Sequence, residues 1–134
     1  MHRAVVNVRY TSNFLAARQN KFMAGFGLSL AQFNILRILR GAKESISVNT
    51  VKERMVEKSP NTTRLMDKLI DKGLIDRTRC LEDRRVVYVC INDKGLELLA
   101  EIDVELENSE AFIVNTLTHE EADMLSDLLD KLRG

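Results

Sequence analysis

Asn61, Arg64 and Lys68 recur at intervals of three and four residues, with Thr63 between them and Ser59 just ahead. At about 100° per residue, Asn61, Arg64, Lys68 and Asp71 share one helical face, and Thr62, Leu65, Met66, Leu69 and Ile70 the other. A guanidinium offers parallel donors that match a carboxylate, a phosphate or the O6/N7 edge of guanine, and a neighbouring carboxamide or hydroxyl can read base edges or hold phosphate oxygens. Ser59 suits an N-cap and Pro60 the first helical position, so the amides that follow would add a dipole favourable to an anion. Plainer readings stand beside these. Arg64 could pair with Asp67 one turn on, Thr62 fits a core, and Lys68 and Lys72 are common solubilising residues.

A second group, Asp83-Arg84-Arg85, lies between two β-prone segments. Arginines at a hairpin tip fit the negative potential of a narrow DNA minor groove, with Asp83 orienting one of them. Charges at such a tip also serve to keep edge strands from pairing with other chains.

These groups need a scaffold. Residues 3–24 read as a helix, with Val6, Tyr10, Phe14, Ala17 and Phe22 near helical spacing, ended by Gly25-Phe26-Gly27. Ser29 and Gln32 form a capping-box pattern opening a second helix through Phe33, Leu36 and Leu39, which Gly41 is expected to close. A third helix over 48–56 follows Ser47 as cap and buries Val48, Val51 and Met55. The fourth carries the polar face and stops at Gly73. After it the pattern turns toward period two through Arg77-Thr78-Arg79-Cys80 and again over 86–91, giving a hairpin with a basic tip. A four-residue turn over 82–85 would set Cys80 opposite Val87, far from Cys90, so an internal disulfide is not expected. Asn92 is placed to cap a helix reaching about Leu117 through Leu99, Ile102, Leu106 and Ile113. Thr118 and Glu121 form a second capping box, and the last helix is expected to bury Ala122, Leu125, Leu128, Leu129 and Leu132.

The order of elements is that of a winged helix-turn-helix: mainly α, with a small β-hairpin wing. In such a module the helix before the wing enters the major groove by its N-terminal end. The charge distribution agrees. The chain of 134 residues has 20 Lys+Arg and 20 Asp+Glu, yet residues 1–95 hold 18 and 9 of them and 96–134 hold 2 and 11. The zero total is a basic part, which suits a polyanion, joined to an acidic part.

The wing stretch Asp83-Arg84-Arg85-Val86-Val87-Tyr88-Val89-Cys90-Ile91-Asn92-Asp93-Lys94-Gly95 resembles the signature of the multiple-antibiotic-resistance regulator (MarR) family, with Ile91 where Leu is usual and Asn92 where Thr or Ser is usual. The run from Thr63 to Ile75 is similar to the family's recognition helix, and Leu28-Ser29-Leu30-Ala31-Gln32-Phe33 to the start of its second helix. Pro60 is less usual at its position. The resemblance implies one MarR-like domain over 1–134, with a DNA-binding lobe at 29–95 and dimerisation helices at 3–24 and 93–133. It further implies a homodimeric transcriptional regulator, commonly a repressor, often released from DNA by a small anionic or phenolic ligand or by cysteine oxidation.

The terminal helices hold more apolar positions than one small winged domain needs, which agrees with a homodimer. Two-fold symmetry would then predict a pseudo-palindromic operator in double-stranded DNA. Tyr10, Phe14, Arg18 and Phe33 are candidates for an effector cleft with one cation, although each aromatic also fits a core. Cys80 and Cys90 fall on wing strands, and two cysteines without a disulfide framework suit a reducing cytoplasm. An enzyme is not expected: His2 and His119 are far apart in sequence, and no catalytic, metal or phosphate-loop motif appears, so neither a cofactor nor a metal is called for. No membrane span or signal peptide is expected either. The competing class is a winged helix that binds protein alone, against which the basic helix face and basic tip together argue.

Overall fold

A computed structural model describes residues 1–55 and 60–134, with the backbone alone for 109–114. The elements are α1 (His2–Ala24), α2 (Leu30–Ala42), β1 (Ile46–Ser47), α3 (Val48–Arg54), α4 (Thr62–Asp71), β2 (Ile75–Arg79), β3 (Val87–Ile91), α5 (Asp93–Val114) and α6 (His119–Arg133). They fall into two compact units, Met1–Leu99 and Ala100–Gly134.

The first unit is a winged helix-turn-helix. Its sheet has the order β1-β3-β2, antiparallel throughout, and β1 is a two-residue strand that the periodicity of the sequence does not announce. The core takes Phe33, Ile35, Leu36 and Leu39 from α2, Val51 from α3, Met66 and Leu69 from α4, and Ile75 and Val89 from the sheet, all buried. Their spacing is helical in α2 and α4, as one buried face requires, and each of β2 and β3 gives one buried residue.

Local chemistry explains most boundaries. At α2 the Ser29 side chain accepts from the Gln32 amide at 3.2 Å while Gln32 accepts from the Ser29 amide at 3.0 Å, completing the capping box. The stop differs from the expectation. Gly41 lies inside α2, and the helix ends at Lys43, which takes the left-handed conformation (φ 59°). Gly27 is the left-handed residue after α1, where the Leu28 amide reaches back to the Met23 carbonyl at 3.2 Å.

The start of α4 is corrected in the same way. Asn61, and not Ser59, is the N-cap, for its carbonyl accepts the first helical hydrogen bond, from the Leu65 amide at 2.9 Å. Pro60 lies in the turn before it. Buried Thr62 fixes this origin by donating its hydroxyl to Met55 Sδ at 3.7 Å. Ser59 and Val56 lie outside the described residues.

The hairpin register is shifted by one from the expectation. Arg79 pairs with Val87, and the Cys80 amide donates to the Val86 carbonyl at 3.0 Å, because the turn takes in 81–85. Cys90 pairs with Asp76, four positions along β2 from Cys80, or roughly 13 Å at strand spacing, so the two half-buried thiols are out of disulfide reach.

α5 ends at Val114, three residues short of Leu117, and its cap is Asn92, whose Oδ1 accepts from the Gly95 amide at 3.0 Å. Thr118 and Glu121 complete the second capping box. The expected burial on α6 is not found. Ala122, Leu125, Leu128 and Leu132 are exposed and Leu129 is half-buried, since no described residue of the protomer covers that stripe.

Candidate nucleic-acid interface

α4 divides as its spacing requires. Thr62, Met66 and Leu69 are buried, and Asn61, Thr63, Arg64, Asp67, Lys68 and Asp71 are exposed. Asp67 is not turned toward Arg64. It faces Arg77 of β2, with Nη1 to Oδ1 at 3.8 Å, both side chains about half exposed. At that exposure the pair adds well under 1 kcal/mol, so its effect is directional: it turns Asp67 away from Arg64 and ties the exposed face of α4 to β2.

The C-terminal end of α4 is tied in three places. Gly73 (φ +73°) completes a Schellman turn, with the Leu74 amide on the Leu69 carbonyl at 3.1 Å and the Gly73 amide on the Ile70 carbonyl at 2.9 Å. Lys72 Nζ donates to the Gly27 carbonyl in the α1–α2 turn, and Lys94 Nζ to the Lys72 carbonyl at 3.0 Å. Lys72 and Lys68 are both exposed, and the Lys72 ammonium has one of its three donors engaged within the protein.

Asn92 does more than cap α5. Its Nδ2 donates to the Gly73 carbonyl at 2.8 Å and to Asp76 Oδ1 at 3.3 Å, and its own amide donates to the Leu74 carbonyl at 3.2 Å. A serine or threonine hydroxyl could cap the helix but has one proton to give, so the carboxamide joins the end of α4, β2 and α5 where a hydroxyl would join fewer.

At the wing tip Asp83 Oδ1 accepts from the Arg85 amide at 3.0 Å and from Arg85 Nε at 3.2 Å. These bonds, the backbone one first and the side-chain one second, hold the Asp83 carboxyl below the usual aspartate range. Arg79 Nη1 reaches the Arg84 carbonyl at 3.4 Å. Arg84 and Arg85 are exposed, and Asp83 orients Arg85.

Between α4, the start of α3 and the wing lies a cleft of about 400 Å³, with Ser47, Asn49, Thr63, Asp67, Arg77 and Arg85 among its lining. It brings together Thr63 and Arg85 from the two sequence groups. Arg64 and Lys68 do not line it, nor do Asp83 and Arg84. Ser47, Asn49 and Arg77 escape sequence reasoning, since Ser47 reads as a cap and Arg77 as a strand residue. Arg77 is detectable in principle, because it alternates with Arg79 on a strand that is polar after its buried first residue, Ile75.

The effector candidates do not converge in the protomer. Tyr10 and Phe14 stand exposed on α1 with Arg18, whereas Phe33 is buried beneath the Arg37 guanidinium, 5.5 Å from its ring centroid. Among the described residues no group of three or more His, Cys, Asp or Glu is placed to hold a metal, and no helix is long and apolar enough to cross a membrane.

The sequence model of the MarR family matches residues 28–87, from the residue before the Ser29 cap to the first residue of β3. A MarR transcription factor from Planctomyces limnophilus is 31% identical, over 99% of this chain and 95% of that one, with a TM-score of 0.78. The chain belongs to the MarR family. Its fold is also that of a MarR-like transcription regulator from Bacillus cereus (23% identity, 98% of this chain and 94% of that one, TM-score 0.89). A mutant MarR from E. coli, solved in complex with operator DNA, is similar as well (24% identity, 98% and 91%, TM-score 0.74). The winged fold and the family's DNA-binding, transcription-regulating character therefore hold for this chain.

Proposed function

We propose that this chain is a transcriptional repressor that binds a pseudo-palindromic operator as a homodimer and leaves it when a small aromatic or anionic ligand binds. The observation that carries the DNA part is the cleft in which Thr63 of α4 meets Arg85 of the wing, beside an exposed Arg64 from which Asp67 is turned away by Arg77. α4 enters the major groove by its N-terminal end, with Asn61, Thr63 and Arg64 toward base edges and phosphate, Ser59 near the phosphates ahead of it, and Lys68 along the backbone. Arg84 and Arg85 enter the adjoining minor groove, where Asp83 fixes the angle of Arg85. That the similar E. coli MarR was solved in complex with operator DNA supports the DNA-binding part of this reading.

The homodimer is supported by the apolar side chains that α1 and α6 leave at the surface: Val6, Tyr10 and Phe14 on one, Met124, Leu125, Leu128 and Leu132 on the other. Of the effector candidates Tyr10, Phe14, Arg18 and Phe33, the three exposed on α1 remain proposed effector residues, to be completed by a second protomer with Arg18 as the cation for a carboxylate or phenolate, whereas buried Phe33 serves the core. Selection of genomic fragments by the purified protein, with and without candidate phenols, tests the whole reading. Inverted repeats with half-sites about one helical turn apart should be enriched and then lost with the ligand. Enrichment no greater than for random fragments overturns it.

A further inference from the structure

A second set of donors shares no residue with the cleft between α4 and the wing. Asn34 and Arg37 stand one turn apart on α2 and Arg54 in the last turn of α3, and with Ile38 they line a separate cleft of about 310 Å³. No carboxylate among the described residues lines it. Arg37 and Arg54 are exposed at the surface.

The guanidinium of Arg37 lies over the buried Phe33 ring at 5.5 Å. A cation held against a ring face in this way leaves N–H donors on the side away from the ring for another partner. It also restrains the side chain in advance, which lowers the ordering cost of a bound ion. Arg54 belongs to the α3 C-terminus, whose dipole favours a cation there. The carboxamide of Asn34 adds donors that an oxyanion accepts.

We infer that Arg37, Arg54 and Asn34 form an oxyanion clamp that takes a phosphate group. Its place in the fold indicates which phosphate. Met55, the residue after Arg54, is held to Thr62 in the first turn of α4, so the clamp adjoins the end of the helix that enters the groove. A backbone phosphate flanking that groove is the occupant, and in this form the inference rests on the DNA-binding reading above. A free phosphate or phosphorylated small molecule offers the same chemistry, and the experiment separates the two sources.

The full chain and its Arg37→Ala, Arg54→Ala, double Ala and double Lys variants are compared, with circular dichroism establishing that each is folded. Inorganic phosphate is titrated at constant ionic strength while the arginine Nε–Hε NMR signals are followed. In a second arm the salt dependence of binding to a random-sequence duplex longer than the footprint is measured. The clamp requires saturable shifts of the Arg37 and Arg54 signals in the wild type, with the shift of the arginine that remains weakened or lost in each single Ala variant. A DNA phosphate further requires the log–log salt slope to fall by about one for each contact removed. An unchanged slope with intact phosphate shifts assigns the site to a free phosphate instead. If the wild type binds no duplex at all, the DNA reading fails while the phosphate arm still decides the clamp. Absence of saturable phosphate shifts together with an unchanged salt slope overturns the inference, as does a double Lys variant that keeps the wild-type duplex affinity and salt slope, since diffuse charge would then suffice.

Discussion

Gly95 stands where no side chain fits. A Cβ there would run into the Leu74 carbonyl oxygen and lie 2.7 Å from Ile91 Cγ1, so the first turn of α5 can approach the wing only through a bare backbone. Gly95→Ala should destabilise the fold by about 1–3 kcal/mol, the usual cost of overpacking, and denaturant unfolding measures it. Gly41 is the opposite case. It lies inside α2 with nothing within 4 Å of a built Cβ, so Gly41→Ala should raise stability by roughly 0.5–1 kcal/mol on the same assay. Asp83 carries a pH dependence. Its carboxyl is held below the ordinary range by Arg85, so the tip clamp is present above the unfolded aspartate value and is lost as pH falls through the lower folded value. Titration by carboxyl NMR should give a depressed midpoint for Asp83, and in Arg85→Ala, which keeps the backbone donor, a midpoint only part of the way back. On operator DNA, Arg64→Ala should cost about 1–3 kcal/mol and relax one base position. Equal loss on random DNA would remove Arg64 from base reading.

At the scale of elements, what was legible in the sequence is what local chemistry decides. Both capping boxes, the two faces of α4 and the stop at Gly73 follow from residues within one or two turns of each other. What was hidden is decided by distant partners. β1 exists because Ile46 and Ser47 find Val89 and Tyr88 across more than forty residues, and two residues have no period to read. The origin of α4 moved from Ser59 to Asn61 because Thr62 finds Met55, a contact that the cap preference of serine cannot foresee. The site divides along the same line: the arginine groups were visible as types and spacing, but the Asp67–Arg77 pair and the part of Asn49 in the cleft come only with the docking of α3 and β2 against α4. Asn92 offers a test of one such junction. Asn92→Thr keeps a capping oxygen for α5 and loses the Nδ2 bonds to Gly73 and Asp76, so it should weaken operator binding more than it lowers thermal stability. Loss of both in proportion would show Asn92 to be a cap alone.

At the scale of the whole molecule, the apolar stripe of α6 is correct as a pattern and unfinished as a structure, because one protomer leaves Leu125, Leu128 and Leu132 in water. Sedimentation should find twice the protomer mass of 15.3 kDa, and Leu128→Glu should return the single mass. The balance of charge takes on a spatial meaning, with the basic residues concentrated in the winged part and acid in the chain that follows. One junction bears on the DNA itself. Ser47 pairs with Tyr88 of β3 and also caps α3, its hydroxyl accepting from the Thr50 amide at 3.1 Å, so a single residue is a rung of the sheet and the start of a helix. Ser47 also lines the cleft between α4 and the wing. In the docking proposed above, such a shared residue would hold helix and tip at a set spacing, like the jaws of a caliper, and a mismatch with straight B-form geometry would fall to the duplex, so that base steps no side chain touches would be selected for how readily they flex.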